Sequence, residues 1–383
     1  MRSRVPGWLA VMWSLLVFSG CEPFEPWFEF AADPALFQYI GRADLTTPDG
    51  PTFAFPNGTV RFRCQCTGVD VVFDSQAEGG EEHTNFITLL VDGQQAARVE
   101  LPPGANRVRG ARSLAPGEHL IELVKSTEAY AGEVRFLGVS LQGSLLPPPP
   151  PADLRLEFIG DSITCGYGNL SRIFAPTFTE PNTGFHARNE DVTQAHGPLT
   201  GRKLHADVVT TCYSGRGMYR SNDGSQDTVL PVLYSRIYPL RDTPRWDPAR
   251  YIPDVIVINL GTNDFSVSDE TGLPAAPPAA NFVQAYLAFV RQLREHYPAA
   301  KIVCAVGPML NDNYPPGRKL WTLQQRYVAS VVDTLRAQGD TRVHYFAYEP
   351  IESDPYGEDW HPTAETHAQM AEALTAFLRR KVL

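Results

Sequence analysis

The 383-residue sequence has a deficit of positive charge and no long run of basic residues. Lysine and arginine together number 33 against 43 acidic residues, which gives a formal net charge of −10. Nucleic-acid binding depends largely on clustered positive charge, so DNA and RNA are excluded as expected partners. An anionic lipid surface would repel the chain, so attachment to a membrane should come only through a lipid anchor.

The sequence also has few cysteines and none of the common cofactor motifs. Beyond Cys21 there are five, an odd and sparse set that predicts core packing rather than a disulfide framework. Cys64 and Cys66 lie on one face of a predicted strand and are poorly placed to bridge each other; the others are Cys165, Cys212 and Cys304. CxxC, HExxH and a complete dinucleotide-binding glycine pattern are all lacking. We therefore expect no metal and no cofactor.

The longest apolar stretch near the N-terminus is too short to span a membrane. Arg2 and Arg4 precede an apolar stretch of 11 residues from Trp8 to Phe18, whereas a spanning helix needs ~20. This pattern indicates an export signal over residues 1–20. Ser19-Gly20-Cys21 resembles the lipobox of bacterial lipoproteins, which predicts lipidation of Cys21 and anchoring to the bacterial cell envelope. The alternative is an ordinary signal peptide and secretion.

Five consecutive prolines, Pro147–Pro151, divide the chain into two parts. Such a run cannot continue a helix or a central strand and forms a stiff spacer. Upstream, short β-rich runs lie at 59–63, 69–73, 86–91, 97–101, 119–124 and 134–139. Their alternation and the turn residues between them indicate an all-β sandwich. We predict a β domain over residues 21–146, a linker over 147–151 and a second domain over 152–383.

The second part alternates buried apolar runs with amphipathic helical segments. The predicted strands are 154–159, 207–213, 254–260, 301–306 and 343–348, and the predicted helices include 281–297, 320–338 and 363–383. This alternation predicts a three-layer α/β domain with a parallel five-stranded sheet. Functional loops of such a domain lie at the carboxyl ends of its strands.

Three polar clusters directly follow three of these predicted strands. Gly160-Asp161-Ser162 places a serine at a strand-to-helix turn, where its N–H belongs to the free donors of the helix N-terminus. Ser214-Gly215-Arg216-Gly217 and Gly261-Thr262-Asn263-Asp264 offer glycine N–H groups and a side-chain amide. Each cluster alone is more typical of a helix cap or a turn.

A fourth cluster, Asp359-Trp360-His361, precedes the last predicted helix, whose start at Pro362 and Thr363 would hold His361 in a fixed loop. A single histidine at such a place is more often structural. Independent turns, however, have no reason to supply a nucleophile, a glycine donor, an amide donor and a base in this order. Together the clusters predict nucleophilic catalysis by a serine.

The four clusters match, in order, the four blocks of the SGNH hydrolases, a branch of the GDSL esterases that the chain resembles. Residue by residue, the resemblance implies that Ser162 is the nucleophile and His361 the general base. It further implies an oxyanion site formed by N–H groups of Ser162, Gly215 and Asn263, with Gly217 as the alternative to Gly215.

The chain is also similar to carbohydrate esterase family 2, in which a jelly-roll β domain precedes the SGNH domain. The likeness rests on residues 160–168, 258–264 and 359–362, and on Val91-Asp92-Gly93 and Lys125-Ser126-Thr127-Glu128 upstream. It implies a serine esterase that removes O-acetyl groups from polysaccharides or oligosaccharides of the xylan or glucomannan type, through an acetyl-enzyme. An SGNH lipase or phospholipase, and a surface carbohydrate-binding lipoprotein with a vestigial site, are the alternatives.

The residue that orients His361 departs from the usual SGNH pattern. Most members place an aspartate three residues before the histidine, whereas this chain has Glu358 there and Asp359 only two before. A backbone carbonyl can fix the imidazole tautomer, although it stabilises the imidazolium less than a carboxylate does. We favour such a Ser-His dyad, with Asp359 as the next candidate and Glu358 as the last.

Aromatic side chains near these clusters are candidates for stacking on sugar rings. Trp360, next to the base, is the first choice, and Tyr219 is considered with it. Trp246 and Tyr213 are also considered, but core packing is the better interpretation for both.

Overall fold

The computed structural model of the protein describes residues 26–174, 182–266 and 274–383. The predicted signal peptide and Cys21 lie outside the described residues. Among the helices of the described part, we find none with the length and apolar character needed to cross a membrane.

The first domain is an antiparallel β structure. Its strands are β1 (Trp27–Ala31), β2 (Gln38–Ile40), β3 (Ala43–Asp44), β4 (Thr52–Phe53), β5 (Thr59–Gln76), β6 (Asn85–Val91), β7 (Gln94–Leu101), β8 (Gly104–Arg109), β9 (Glu118–Lys125) and β10 (Glu133–Leu145). They follow the order β3-β4-β10-β5-β9-β6-β7, with β1 on β10 and with β2 and β8 on β5. Buried and partly exposed side chains alternate along β5, as expected of a strand with one face on a core.

Aromatic side chains fill the centre of this β domain. The Phe136 ring lies 5.1 Å from that of Phe37 and 5.5 Å from that of Phe73, centroid to centroid, and Phe62 packs edge-on against Phe37. Such tilted and edge-on contacts are the preferred geometries of aromatic pairs. These rings and the aliphatic residues around them form one apolar core under the antiparallel strands.

The second domain is a parallel sheet covered by helices. Its strands are β11 (Arg155–Gly160), β12 (Asp207–Cys212), β13 (Val255–Asn259), β14 (Lys301–Val306) and β15 (Val343–Ala347), in the order β12-β11-β13-β14-β15. Its α-helices are α1 (Ser162–Cys165), α2 (His196–Leu204), α3 (Leu230–Leu233), α4 (Thr262–Phe265), α5 (Ala279–His296), α6 (Leu320–Ala337) and α7 (Ala364–Lys381). Short 3-10 helices lie at Ala187–Asn189, Val192–Gln194, Pro248–Arg250 and Glu358–Trp360.

The two faces of the parallel sheet bury alternate residues of each strand. Ile256 and Ile258 of β13 belong to the apolar cluster formed with α5 and α6, whereas Val255 and Val257 belong to the cluster formed with α7. Both faces are therefore apolar, which is why the parallel strands are nearly continuous hydrophobic runs.

The predicted fold class is confirmed: an antiparallel β domain precedes a three-layer α/β domain with a five-stranded parallel sheet. The five prolines of the predicted linker carry no regular secondary structure between β10 and β11. The predicted domain boundaries themselves stay a prediction.

The expectation that the cysteines pack unpaired is wrong for four of them. Cys64 pairs with Cys66, and Cys165 pairs with Cys212, while Cys304 is free and buried. The second pair joins α1, directly after β11, to the end of the neighbouring strand β12. The sequence could not show this pair, because the two residues meet only through the pairing of the strands.

A buried ion pair connects the two domains. Arg42 of the β domain donates to the Glu157 carboxylate of β11 at 3.1 Å, and their side chains are 0% and 2% exposed. Thr211 and Tyr234 also donate to Glu157, each at 2.9 Å, so both carboxylate oxygens accept hydrogen bonds. The Arg42 guanidinium lies 4.3 Å from the Tyr234 ring centroid, a cation–π contact. Loss of Arg42 would leave the buried carboxylate without its counter-charge.

We predict that Arg42→Met lowers the free energy of unfolding by roughly 3–5 kcal/mol, because removing one partner of a buried pair leaves an uncompensated charge. Urea titration measures this change. Arg172→Met is the matched control, since Arg172 and its partner Glu365 are 52% and 58% exposed, and such pairs contribute about 0–1 kcal/mol. If both variants lose the same free energy of unfolding, the Arg42–Glu157 pair is not the stabilising contact described here.

Candidate active site

Ser162 stands at the first position of α1, immediately after β11. The Asp161 carboxylate caps the helix by accepting the N–H of Ile163 at 3.1 Å. The cap leaves the N–H of Ser162 itself without a hydrogen-bond partner among the described residues. The turn thus presents a hydroxyl and a free N–H donor side by side.

The structure brings His361 to Ser162. The distance between His361 Nε2 and Ser162 Oγ is 2.7 Å, although 199 residues separate the two in sequence. His361 Nδ1 lies 2.8 Å from the backbone carbonyl oxygen of Glu358. Because a carbonyl only accepts hydrogen bonds, Nδ1 carries the proton and Nε2 has the free lone pair that faces the serine hydroxyl. This tautomer is the one a general base requires.

Neither nearby carboxylate binds the imidazole. The Asp359 carboxylate accepts the Tyr167 hydroxyl at 2.5 Å and the N–H of Thr183 at 2.8 Å. The Glu358 carboxylate accepts from Asn189 and from His186. The candidate role of Asp359 as the orienting acid is therefore not what the geometry shows. The reason is local: φ of Asp359 is 47°, and this left-handed turn directs its carboxylate away from Nδ1.

The loop that carries His361 reaches Ser162 because two glycines allow close backbone contact. A Cβ on Gly168 would lie 2.4 Å from Cβ of Glu358, and a Cβ on Gly357 would lie 2.7 Å from the Gly168 carbonyl oxygen. The N–H of Glu358 donates to the carbonyl oxygen of Gly168 at 3.3 Å. Side chains at either glycine would push the base away from the nucleophile.

Burial sets the charge of the base. Burial lowers the pKa of His361 to about 4, against the opposing effect of the hydrogen bond to Glu358. The imidazole is therefore neutral near pH 7, which is the form that accepts a proton. The Tyr167 ring stacks on the imidazole with centroids 4.2 Å apart and holds its plane.

The predicted oxyanion donors lie beside this pair. The N–H of Gly215, like that of Ser162, has no hydrogen-bond partner among the described residues, and both residues line the same cleft. The Asn263 amide also lines the cleft and donates to the Arg216 carbonyl at 3.0 Å and to Asp161 at 3.3 Å. Gly217, the alternative to Gly215, does not line the cleft, because it packs on the backbone of Arg220.

Asp264 holds the backbone that directly follows the glycine loop, Ser214-Gly215-Arg216-Gly217, a role that the sequence did not reveal. Its carboxylate accepts the N–H groups of Met218, Tyr219 and Arg220 at 2.7–2.9 Å. Burial raises the pKa of Asp264 to about 6, although these three bonds oppose the shift. The Asn263-Asp264 pair thus links two of the polar loops. A turn-rich motif such as Gly-Thr-Asn-Asp gave no signal for this link.

The reacting groups open into a cleft of about 690 Å³ between the two domains. Four aromatic side chains line it: Tyr130 of the β domain, and Tyr167, Phe185 and Tyr213. Trp360 and Tyr219, the aromatic residues predicted to bind sugar, are not among its lining residues. Trp360 follows the left-handed Asp359 and has a φ of 61° itself, so the cleft receives Asp359 and His361 but not the side chain between them. The Tyr219 hydroxyl instead accepts from Gln226 and Asn281.

One group of three residues in the described part has the spacing of a metal site: Glu128, Cys165 and Glu190. Cys165 is paired with Cys212 and cannot supply a thiolate. Trp246, in turn, belongs to the apolar core near α5 and stacks over Arg250, which agrees with core packing.

Comparisons with known proteins match both parts of the chain. The model of the carbohydrate esterase 2 N-terminal domain matches residues 39–150, and the GDSL-like lipase/acylhydrolase family matches residues 158–369. The acetylxylan esterase/glucomannan deacetylase of Cellvibrio japonicus is 31% identical over 355 residues, covering 91% of this chain and 90% of that protein. The chain belongs to the family 2 carbohydrate esterases. It is a carboxylic ester hydrolase, and the predicted family and enzyme class are confirmed.

This esterase is 36% identical over 348 residues to the cellulase/esterase CelE of Acetivibrio thermocellus. The match covers 90% of the chain but 39% of CelE, so the chain spans less than half of that relative. The solved structure of a family two carbohydrate esterase from Clostridium thermocellum, in complex with cellohexaose, has a TM-score of 0.80 at 35% identity. The match covers 90% of this chain and 98% of that one.

We predict that Asp359→Asn lowers the turnover number by less than ~10-fold, because the Glu358 carbonyl, not Asp359, holds Nδ1. The same change in a triad aspartate costs ~10,000-fold. Initial rates with p-nitrophenyl acetate on folded enzyme measure the effect. A loss beyond ~1,000-fold would overturn the carbonyl-oriented dyad and restore Asp359 as the third member.

Proposed function

We propose that this esterase removes O-acetyl groups from polysaccharides of the xylan or glucomannan type by a Ser162–His361 dyad. The observation that carries the proposal is the 2.7 Å contact between Ser162 Oγ and a neutral His361 at the floor of an open cleft. The nucleophile, the base and the residues of two free N–H donors all line this cleft. This set of groups is what acyl transfer requires.

The reaction begins when His361 Nε2 takes the hydroxyl proton of Ser162 as Oγ attacks the acetyl carbonyl carbon. The oxyanion that forms accepts hydrogen bonds from the N–H groups of Ser162 and Gly215. The Asn263 amide joins them when it exchanges its longer hydrogen bond, the one to Asp161 at 3.3 Å, for one to the oxyanion. His361 then gives its proton to the sugar oxygen, which leaves as an alcohol. Water, deprotonated by His361, attacks the acetyl-serine, acetate departs, and Ser162 recovers its proton.

The imidazolium that forms in each step has two stabilising neighbours. The carbonyl oxygen of Glu358 accepts a hydrogen bond from Nδ1–H of His361. The Asp359 carboxylate favours the protonated imidazole through space. Tyr167, hydrogen-bonded to Asp359, keeps the ring in place by stacking. The dyad thus has charge compensation without a direct carboxylate contact.

The polysaccharide substrate is supported by the relatives and by the cleft. One relative is named an acetylxylan esterase/glucomannan deacetylase, and one similar structure holds cellohexaose. The cleft is wide, lies across the domain junction and combines aromatic faces with polar groups such as Asn222 and Asp223. Aromatic faces and hydrogen-bonding side chains suit sugar rings. A long-chain lipid would need an apolar channel instead.

We predict that Ser162→Ala retains less than ~1% of wild-type acetate release and leaves the thermal midpoint nearly unchanged, because loss of a nucleophile costs several orders of magnitude. Acetate is measured from acetylated xylan and acetylated glucomannan, with p-nitrophenyl acetate and butyrate compared in parallel. Residual activity above that level would exclude Ser162 as nucleophile. Preference for butyrate and no acetate release from either polysaccharide would favour a lipase-type esterase.

We further propose that the protein is exported and anchored to the bacterial cell envelope through lipid on Cys21. Support comes from the apolar stretch followed by Ser19-Gly20-Cys21. Cys21→Ser is expected to move the protein from the membrane fraction to the soluble fraction while p-nitrophenyl acetate turnover stays the same. An unmodified N-terminus of the mature wild-type protein in mass spectrometry would defeat the proposal.

A further inference from the structure

A residue of the β domain holds the loop that supplies an oxyanion donor. Glu128 accepts the N–H of Ser214 at 2.9 Å through one carboxylate oxygen and the Ser214 hydroxyl through the other. Ser214 directly precedes Gly215. The two bonds cross the domain junction and end one residue from the donor N–H.

Gly215 needs such an anchor because a glycine backbone can adopt many conformations. Its φ is 77°, in the left-handed region that glycine adopts freely. The Asn222 N–H donates to its carbonyl oxygen at 2.9 Å and fixes the following side. Glu128 fixes the preceding side through Ser214. The direction of the Gly215 N–H is therefore set by one contact from each side.

Glu128 is itself rigidly held in the molecule. It is 0% exposed, and its N–H donates to a Glu190 carboxylate oxygen at 2.8 Å. The Lys125 ammonium donates to the carbonyl oxygens of Thr127 and Glu128 at 2.6 and 3.0 Å. Because Glu128 is fixed in the β domain, its hydrogen bonds to Ser214 fix the glycine loop relative to that domain.

We propose that Glu128 is a positioning residue for ester hydrolysis: it sets the Gly215 N–H in the oxyanion site through Ser214. The inference rests on the esterase function proposed above. Glu128 acts through hydrogen bonds rather than charge, since a carboxylate beside an oxyanion would oppose it. Burial raises the pKa of the Glu128 carboxyl, whereas its hydrogen bonds to Ser214 lower it.

The test compares two substitutions with p-nitrophenyl acetate as substrate and a boronic acid as inhibitor. Glu128→Ala is expected to lower kcat per active site by about 10–100-fold with little change in KM, less than the full loss of one oxyanion donor. Glu128→Gln keeps an acceptor for the Ser214 N–H and a group that bonds its hydroxyl, so it should stay within about 3-fold of wild type. Titration of Ser162 with a phosphonate counts the active sites.

The boronic acid separates a role in the oxyanion site from a merely structural one. Its boron atom bonds to Ser162 Oγ and becomes tetrahedral. One of the oxygens on the boron then takes the place of the oxyanion. Its inhibition constant should therefore rise in proportion to the fall in kcat/KM of Glu128→Ala. Glu133→Ala is the control, because Glu133 also pairs across the domains, with Arg241, but does not line the cleft. Glu133→Ala should match wild type in kcat per active site, in KM and in the inhibition constant of the boronic acid.

Unchanged kcat per active site and unchanged boronate affinity in Glu128→Ala would overturn the proposal, and so would a loss confined to KM. If Glu128→Ala does not fold, Ser214→Ala removes the hydroxyl bond from the loop side, and a parallel, smaller loss in kcat/KM and boronate affinity is expected. Unchanged values there would again overturn it. If the wild type hydrolyses no acetyl ester, the proposed function fails, while the boronate comparison still decides the role of Glu128.

Discussion

The register of three parallel strands places the reacting groups of this esterase. Gly160 at the end of β11 pairs with Cys212 at the end of β12 and with Asn259 at the end of β13. The loops that begin just beyond these residues therefore start from one line across the sheet. Ser162, Gly215 and Asn263 each lie two to four positions past that line. Convergence of nucleophile and oxyanion donors is a consequence of strand pairing.

The base, His361, does not lie on that line, and strand register alone does not place it. Its loop follows β15, the edge strand farthest from β12, and reaches Ser162 through the close backbone contact of Gly168 with Glu358. The Glu358 carbonyl then fixes the tautomer of His361. A neutral acceptor stabilises the imidazolium less than a carboxylate in direct contact would. Here the Asp359 carboxylate supplies part of that charge through space, while burial keeps the imidazole neutral between steps.

Much of this organisation could be predicted from the sequence, because it depends on local patterns. The period-two runs and the β/α alternation predicted the fold class, and polar clusters after buried strands predicted where Ser162, Gly215, Asn263 and His361 lie. Spacing alone also raised the doubt about Asp359. The rest depends on contacts distant in sequence. The Cys165–Cys212 pair, the contact of Glu128 with Ser214 and the exclusion of Trp360 from the cleft each need the tertiary arrangement or a left-handed backbone turn.

A covalent acetyl-enzyme at Ser162, formed in a site that both domains build, is the central intermediate of the proposed reaction. Rapid acid quench during turnover of an acetylated substrate, followed by peptide mass spectrometry, detects this intermediate. We expect the peptide containing Ser162 to gain the mass of one acetyl group and the Ser162→Ala protein to gain none. Acetylation of another residue in a kinetically competent burst would contradict it.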